Sequence, residues 1–68
     1  MKYAVVYEHT PRNYSAYVPD LPGCVATGKT RAEVEARIRR AVELHIAGLR
    51  KAGERVPPAE AWIELIEA

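Results

Sequence analysis

The sequence predicts an α+β domain in the order βββαβ, a small sheet with one amphipathic helix laid against one face. Three observations lead there. Short runs in which Tyr and Val alternate with small residues occupy the first third of the chain, separated by Pro, Asn and Gly. A helical apolar repeat follows from Thr30, and beyond Pro57-Pro58 an alternating apolar run returns.

Each element has its own local reason. From Lys2 to Glu8, Tyr3, Val5 and Tyr7 fall on one face and Ala4 and Val6 on the other, a strand with two partly apolar faces. His9-Thr10-Pro11-Arg12-Asn13 has the composition of a turn, so the next run, Tyr14 to Val18, folds back as a hairpin. Pro19-Asp20-Leu21-Pro22-Gly23 cannot continue a ladder, because proline lacks an N–H and Gly23 admits positive φ. Cys24 to Thr27, stopped by Gly28, is the third strand.

Thr30-Arg31-Ala32-Glu33 is a capping box: the Thr30 hydroxyl accepts an otherwise orphaned N–H and the Glu33 carboxylate reciprocates. At about 100° per residue, Val34, Ile38, Ala41, Val42, His45, Leu49 and Ala52 share a stripe opposite Glu35, Arg39, Glu43 and Arg50. Gly53 ends this helix near Ala52, and the two prolines prevent its resumption. Ala61 to Glu67 then reads as a fourth strand, with Ile63 and Leu65 on one face and Trp62 and Ile66 on the other.

Sixty-eight residues supply one core, so residues 1–68 form a single domain. A chain this short buries only about 60% of its unfolded surface, which favours a partner or self-association. One helix covers only one face of a sheet. Tyr3, Tyr7 and Tyr17, together with Trp62 and Ile66, are therefore the candidate interface residues of a homo-oligomer, a dimer or higher.

Ten Lys and Arg against nine Asp and Glu give a formal charge of +1, too little for the basic field that nucleic-acid binding needs. The helix's outer face alternates Glu with Arg and no strand is basic on one face, so specific DNA binding by this chain alone is not expected. A single cysteine, Cys24, favours a reducing compartment, and the N-terminus has no apolar leader, so the chain reads as cytoplasmic. No stretch approaches the roughly 18 apolar residues of a membrane span.

Chemistry is sparse. His9, His45 and Cys24 offer no zinc spacing, and no metal or cofactor is expected. His45 on the apolar stripe reads as a core or interface histidine, Cys24 as a small buried hydrophobe without a fixed base beside it. Glu8, Asp20 and Glu33 are the only early acids, and Glu33 is engaged in capping, so a metal-dependent nuclease lacks its carboxylates. The chain is read as no enzyme, with no catalytic residue.

The residues Pro19-Asp20-Leu21-Pro22-Gly23-Cys24, then Thr27-Gly28-x-Thr30-x-x-Glu33, then Gly53-x-x-Val56-Pro57, taken as an ordered set, resemble the HicB-like antitoxin family over nearly the whole chain. The resemblance implies a partial ribonuclease-H-like fold. In it three antiparallel strands and a last strand returning parallel beside the first form a small mixed sheet, crossed by the helix on one face. It also implies a partner, a small HicA-type toxin that cleaves mRNA and is neutralised by binding, in a type II toxin-antitoxin system. Many members carry a further DNA-binding module. Here the chain stops at Ala68, so toxin binding is the part that transfers and autorepression is not expected of this short form. An interaction or oligomerisation module with no toxin partner is the alternative reading.

Overall fold

A computed structural model describes residues 1–68. Three strands, β1 (Val6–His9), β2 (Tyr14–Tyr17) and β3 (Val25–Gly28), precede one helix, α1 (Arg31–Lys51). The sheet has the order β1-β2-β3 and both pairings are antiparallel. This is the expected α+β arrangement of strands and one helix.

The hairpin closes through Thr10, whose N–H donates to the Asn13 carbonyl at 2.9 Å and whose hydroxyl accepts from the Arg12 and Asn13 N–H groups. Register then sets Val6 opposite Tyr17 and Tyr7 opposite Ala16, while Tyr17 faces Val25 and Tyr14 faces Gly28. Cross-strand partners share a face. Tyr7, His9, Tyr14, Ala16, Ala26 and Gly28 therefore look towards the helix, and Val6, Glu8, Ser15, Tyr17, Val25 and Thr27 look away.

Val18 to Cys24 is built from two consecutive β-turns. The Leu21 N–H donates to the Val18 carbonyl at 3.1 Å and the Cys24 N–H to the Leu21 carbonyl at 3.0 Å. Pro19 and Pro22 occupy the second position of these turns, where their fixed φ is an asset. Gly23, at φ 85°, supplies the left-handed third position of a type II turn. The Val18 N–H donating to the Cys24 carbonyl closes the loop. Its apex residue, Leu21, is 0% exposed and belongs to a core of Ala16, Val18, Leu21, Cys24, Val34 and Ile38.

The helix begins and ends as its sequence dictates. The Glu33 N–H donates to the Thr30 hydroxyl at 3.1 Å. The Glu33 carboxylate reaches back one residue further than in the usual box, accepting from the Lys29 N–H at 3.0 Å. At the other end Gly53, at φ 73°, donates to the Arg50 carbonyl while the Glu54 N–H reaches the Leu49 carbonyl at 2.9 Å, the paired bonds of a Schellman stop. Val34 and Ile38 are buried, and Ala41, Val42, His45, Ile46 and Leu49 are half-buried. Gly28 lets the helix start approach β3: a Cβ there would lie 2.8 Å from the Val34 backbone nitrogen.

Three expectations need correction. Ala61 to Glu67 forms no strand, so the sheet is a purely antiparallel three-stranded one rather than a mixed four-stranded one. Its alternation is right for a strand, but a strand exists only where a neighbour accepts its ladder, and this segment lies on none. The first strand begins at Val6 and not at Lys2, because β2 ends at Tyr17 opposite Val6 and Val18 already turns away. The third strand runs Val25–Gly28 and not Cys24 to Thr27, and on the helix Glu33 meets Arg37 at 3.2 Å and Arg40 meets Glu43 at 3.3 Å.

Leu21 fills the space between two turns and the helix, so Leu21→Ala removes buried methyl groups that rigid turns cannot collapse around. The expected loss is about 2–5 kcal/mol, a large share of the stability of so small a domain, whereas Leu21→Met should cost less than about 1.5 kcal/mol. Urea unfolding followed by circular dichroism measures both, and equal losses would contradict this packing role.

Candidate protein-interaction site

The chemistry-bearing side chains do not converge. No group of three His, Cys, Asp or Glu residues lies together in the structure. Glu8 is exposed on the sheet's outer face, Glu33 is held at the helix start, and Asp20 lies in the double turn. His9 stacks on Tyr14, ring centroids 4.1 Å apart and planes within 5°, a packing contact at the hairpin end. Cys24 is buried, and burial pushes its thiol up from the ordinary value, which favours the neutral form. The stability this contributes is complete at and below neutral pH and is lost as the pH rises through the raised value.

The turn between β2 and β3 does more than bend the chain. The Asp20 Oδ2 accepts from the Glu60 N–H at 3.0 Å and from the Ala61 N–H at 2.9 Å, bridging forty residues of sequence. The Tyr3 hydroxyl donates to the Pro57 carbonyl. Asp20, Tyr3 and Pro57 therefore work as one clamp that fixes the path of the chain after α1. Nothing in the local sequence around Asp20 announces this, since an Asp between two prolines is equally explained by turn preference.

Beyond the clamp the chain is bare. Trp62 is 86% and Leu65 96% exposed, and Ile63 and Ile66 are also exposed. Trp62 and Ile66 thus have the exposure that an interface requires. The three tyrosines separate. Tyr3 is half-buried and bonded, and Tyr7 stands beside it along a groove between β1 and α1, whereas Tyr17 lies on the opposite face with Val6 and exposed Val25. They do not form one aromatic surface, because paired register puts Tyr17 with Val6 and Tyr7 with Ala16.

Two apolar surfaces result. The outer sheet face carries Val6, Tyr17 and Val25, with Glu8 as its one charge among the strand residues. The groove between β1 and α1 has a volume of about 330 Å³ and is lined by Tyr3, Val5, Tyr7, Ile38 and Val42, with Arg39 at its rim. The helix itself is not long and apolar enough to cross a membrane.

Known proteins share this chain's sequence pattern and its fold. Residues 3–68 match a family model described as the HicB-like antitoxin of bacterial toxin-antitoxin system. A UPF0150 protein of Thermoplasma acidophilum is 38% identical over 58 residues, 84% of each chain. A 14.9 kDa protein encoded in the rep-hol intergenic region of Haemophilus phage HP1 is 33% identical over 93% of this chain, which spans only 50% of that protein's length. The crystal structure of TTHA0281 from Thermus thermophilus superposes with a TM-score of 0.72 at 39% identity, covering 93% of this chain and 82% of that one.

Two outcomes check the site. Asp20→Ala should raise hydrogen exchange at the Glu60 and Ala61 amides on the order of 10- to 100-fold, the loss of charge-assisted bonds, while amides in the middle of α1 stay protected. Cys24 should resist iodoacetamide at pH 8 in the folded protein and react readily in denaturant. Equal rates in the two states would contradict its burial.

Proposed function

This chain belongs to the HicB-like antitoxin family of bacterial toxin-antitoxin systems, and we propose that it acts by binding and neutralising a HicA-type, mRNA-cleaving toxin in the cytoplasm. The single observation that carries this is the family match over residues 3–68, which includes every strand and the helix. The outer sheet face is the proposed docking surface. It presents Val6, Tyr17 and Val25 with no element of this chain packed over them, and it opposes no cation to the basic surface that an RNA-cleaving partner needs. Tyr17 at its centre has the amphipathic ring that anchors interfaces.

Neutralisation by occlusion asks no chemistry of the antitoxin, so the chain is proposed to be no enzyme and to need no cofactor. It is also proposed not to bind DNA specifically by itself, since α1 lays one face on the sheet and presents Glu43 beside Arg40 on the other. Self-association into a homo-oligomer belongs to the same reading and is supported by the bare apolar segment after Ala61.

Co-expression with any small basic reading frame found beside its gene tests the proposal. The two products should co-purify, and growth arrest by the toxin should be relieved. Tyr17→Asp should weaken the complex by at least about 30-fold, the measure of one buried aromatic anchor, without changing the helical circular dichroism signal. Purified chain that cleaves RNA by itself, or a toxin arrest left unrelieved, would count against it.

A further inference from the structure

We propose that Trp62–Ala68 is an exchange arm: in solution two copies of this chain trade these segments, each laying its arm as a strand along the open edge of the other's β1. The proposal rests on the self-association just described and specifies its device.

The arm has the composition of a strand and none of its satisfaction. Trp62, Ile63, Leu65 and Ile66 are all exposed, an apolar run that a soluble chain does not ordinarily leave in water. Its residues take part in none of the chain's backbone hydrogen bonds, so the ladder groups are as free as the side chains. The clamp formed by Asp20 and Tyr3 holds the chain up to Ala61 and releases it there, standing off its own body. The radius of gyration, 13.1 Å, exceeds the roughly 11 Å of a compact domain of this length.

The sheet offers one receptor for such a strand. β1 and β3 are both edges. The β3 edge is blunted, because the Arg37 guanidinium donates to the Thr27 carbonyl at 3.0 Å and Gly28 is pressed against the helix start. The β1 edge is open, and the unpaired residues Met1–Val5 lengthen it. Beside it runs the groove of Tyr3, Val5, Tyr7, Ile38 and Val42. An arm added at this edge receives main-chain hydrogen bonds from β1 and directs alternate side chains into the groove.

The arm is exposed on its own copy, so a second copy is the occupant proposed, and the charges fit it. The arm carries Glu64 and Glu67, while Arg39 and Arg50, with Glu43, border the groove and its continuation along α1. Reciprocal exchange buries two arms and two edges about one two-fold axis, a total on the order of 2,000 Å², within the range of stable dimers.

The test uses the full chain at micromolar concentration. Light scattering should give the dimer mass. Trp62, the only tryptophan, should emit to the blue and shift red as dilution dissociates the pair. The double variant Leu65→Asp, Ile66→Asp should raise the dimer dissociation constant at least about 30-fold with helical circular dichroism unchanged. In a mixture of isotope-labelled and unlabelled copies, Trp62 of one copy should show nuclear Overhauser contacts to Val5 or Tyr7 of the other. A dimer of undiminished strength in the double variant would overturn arm exchange and leave self-association standing. A wild-type monomer would overturn both, and contacts from Trp62 to β1 of its own copy only would overturn the exchange.

Discussion

The turn between β2 and β3 is the constraint on which the remaining structure depends. Seven residues, Val18 to Cys24, reverse the chain through two β-turns and close on themselves by the Val18–Cys24 bond. Because Pro19 and Pro22 fix their own φ and restrict the residue before each, Leu21 among them, Leu21 is delivered to the core with its conformational entropy already reduced in the unfolded chain, while Gly23 supplies the left-handed position the second turn requires. The same turn ends β2 at Tyr17 and so limits the β1 ladder to Val6 and beyond. It also holds out Asp20 to receive the backbone of residues 60 and 61, which decides where the chain goes after the helix. Core, ladder and exit path are thus settled by one short loop.

Little else in the molecule contributes comparably. The core has six members, and the two ion pairs join side chains that are mostly in water, each worth at most about 1 kcal/mol. The caps of α1 matter more. Thr30 and Gly53 satisfy orphan donors and acceptors at both ends, an effect of roughly 1 kcal/mol at an N-cap, which a helix with only two fully buried residues needs. So small a core leaves much apolar surface over, which supports the association proposed above. Most of the exposed large apolar residues fall on the outer face of the sheet, Tyr17 and Val25, and on the segment past Ala61, with Met1, Tyr7 and Leu44 apart from them.

The elements governed by local chemistry are legible in the sequence. Thr30 and Glu33 mark the helix start, Gly53 its end, and the proline-glycine pattern the turn, because each acts through atoms a few residues away. The hairpin is legible for the same reason. The fourth strand is not, although Ala61 to Glu67 has the right alternation, because alternation reports what a segment can do when given a neighbour and not whether it has one. The role of Asp20 is hidden because its partners lie forty residues away. Residue type alone groups the three tyrosines, and only the register, which pairs Val6 with Tyr17, separates them onto two faces.

That separation has a consequence for how the proposed surfaces work together. Tyr17, Val6 and Val25 look out from the side of the sheet away from the helix, whereas the β1 edge and its groove lie in the plane of the sheet and towards α1. A partner seated on the outer face does not cover the edge, and a strand added at the edge extends the outer face rather than blocking it. An arm laid beside β1 would continue the surface on which Val6 sits, placing alternate arm side chains, either Trp62 and Ile66 or Ile63 and Leu65, level with it. The proposed association between copies and the proposed binding of a toxin are then geometrically compatible, and the first would enlarge the platform available to the second.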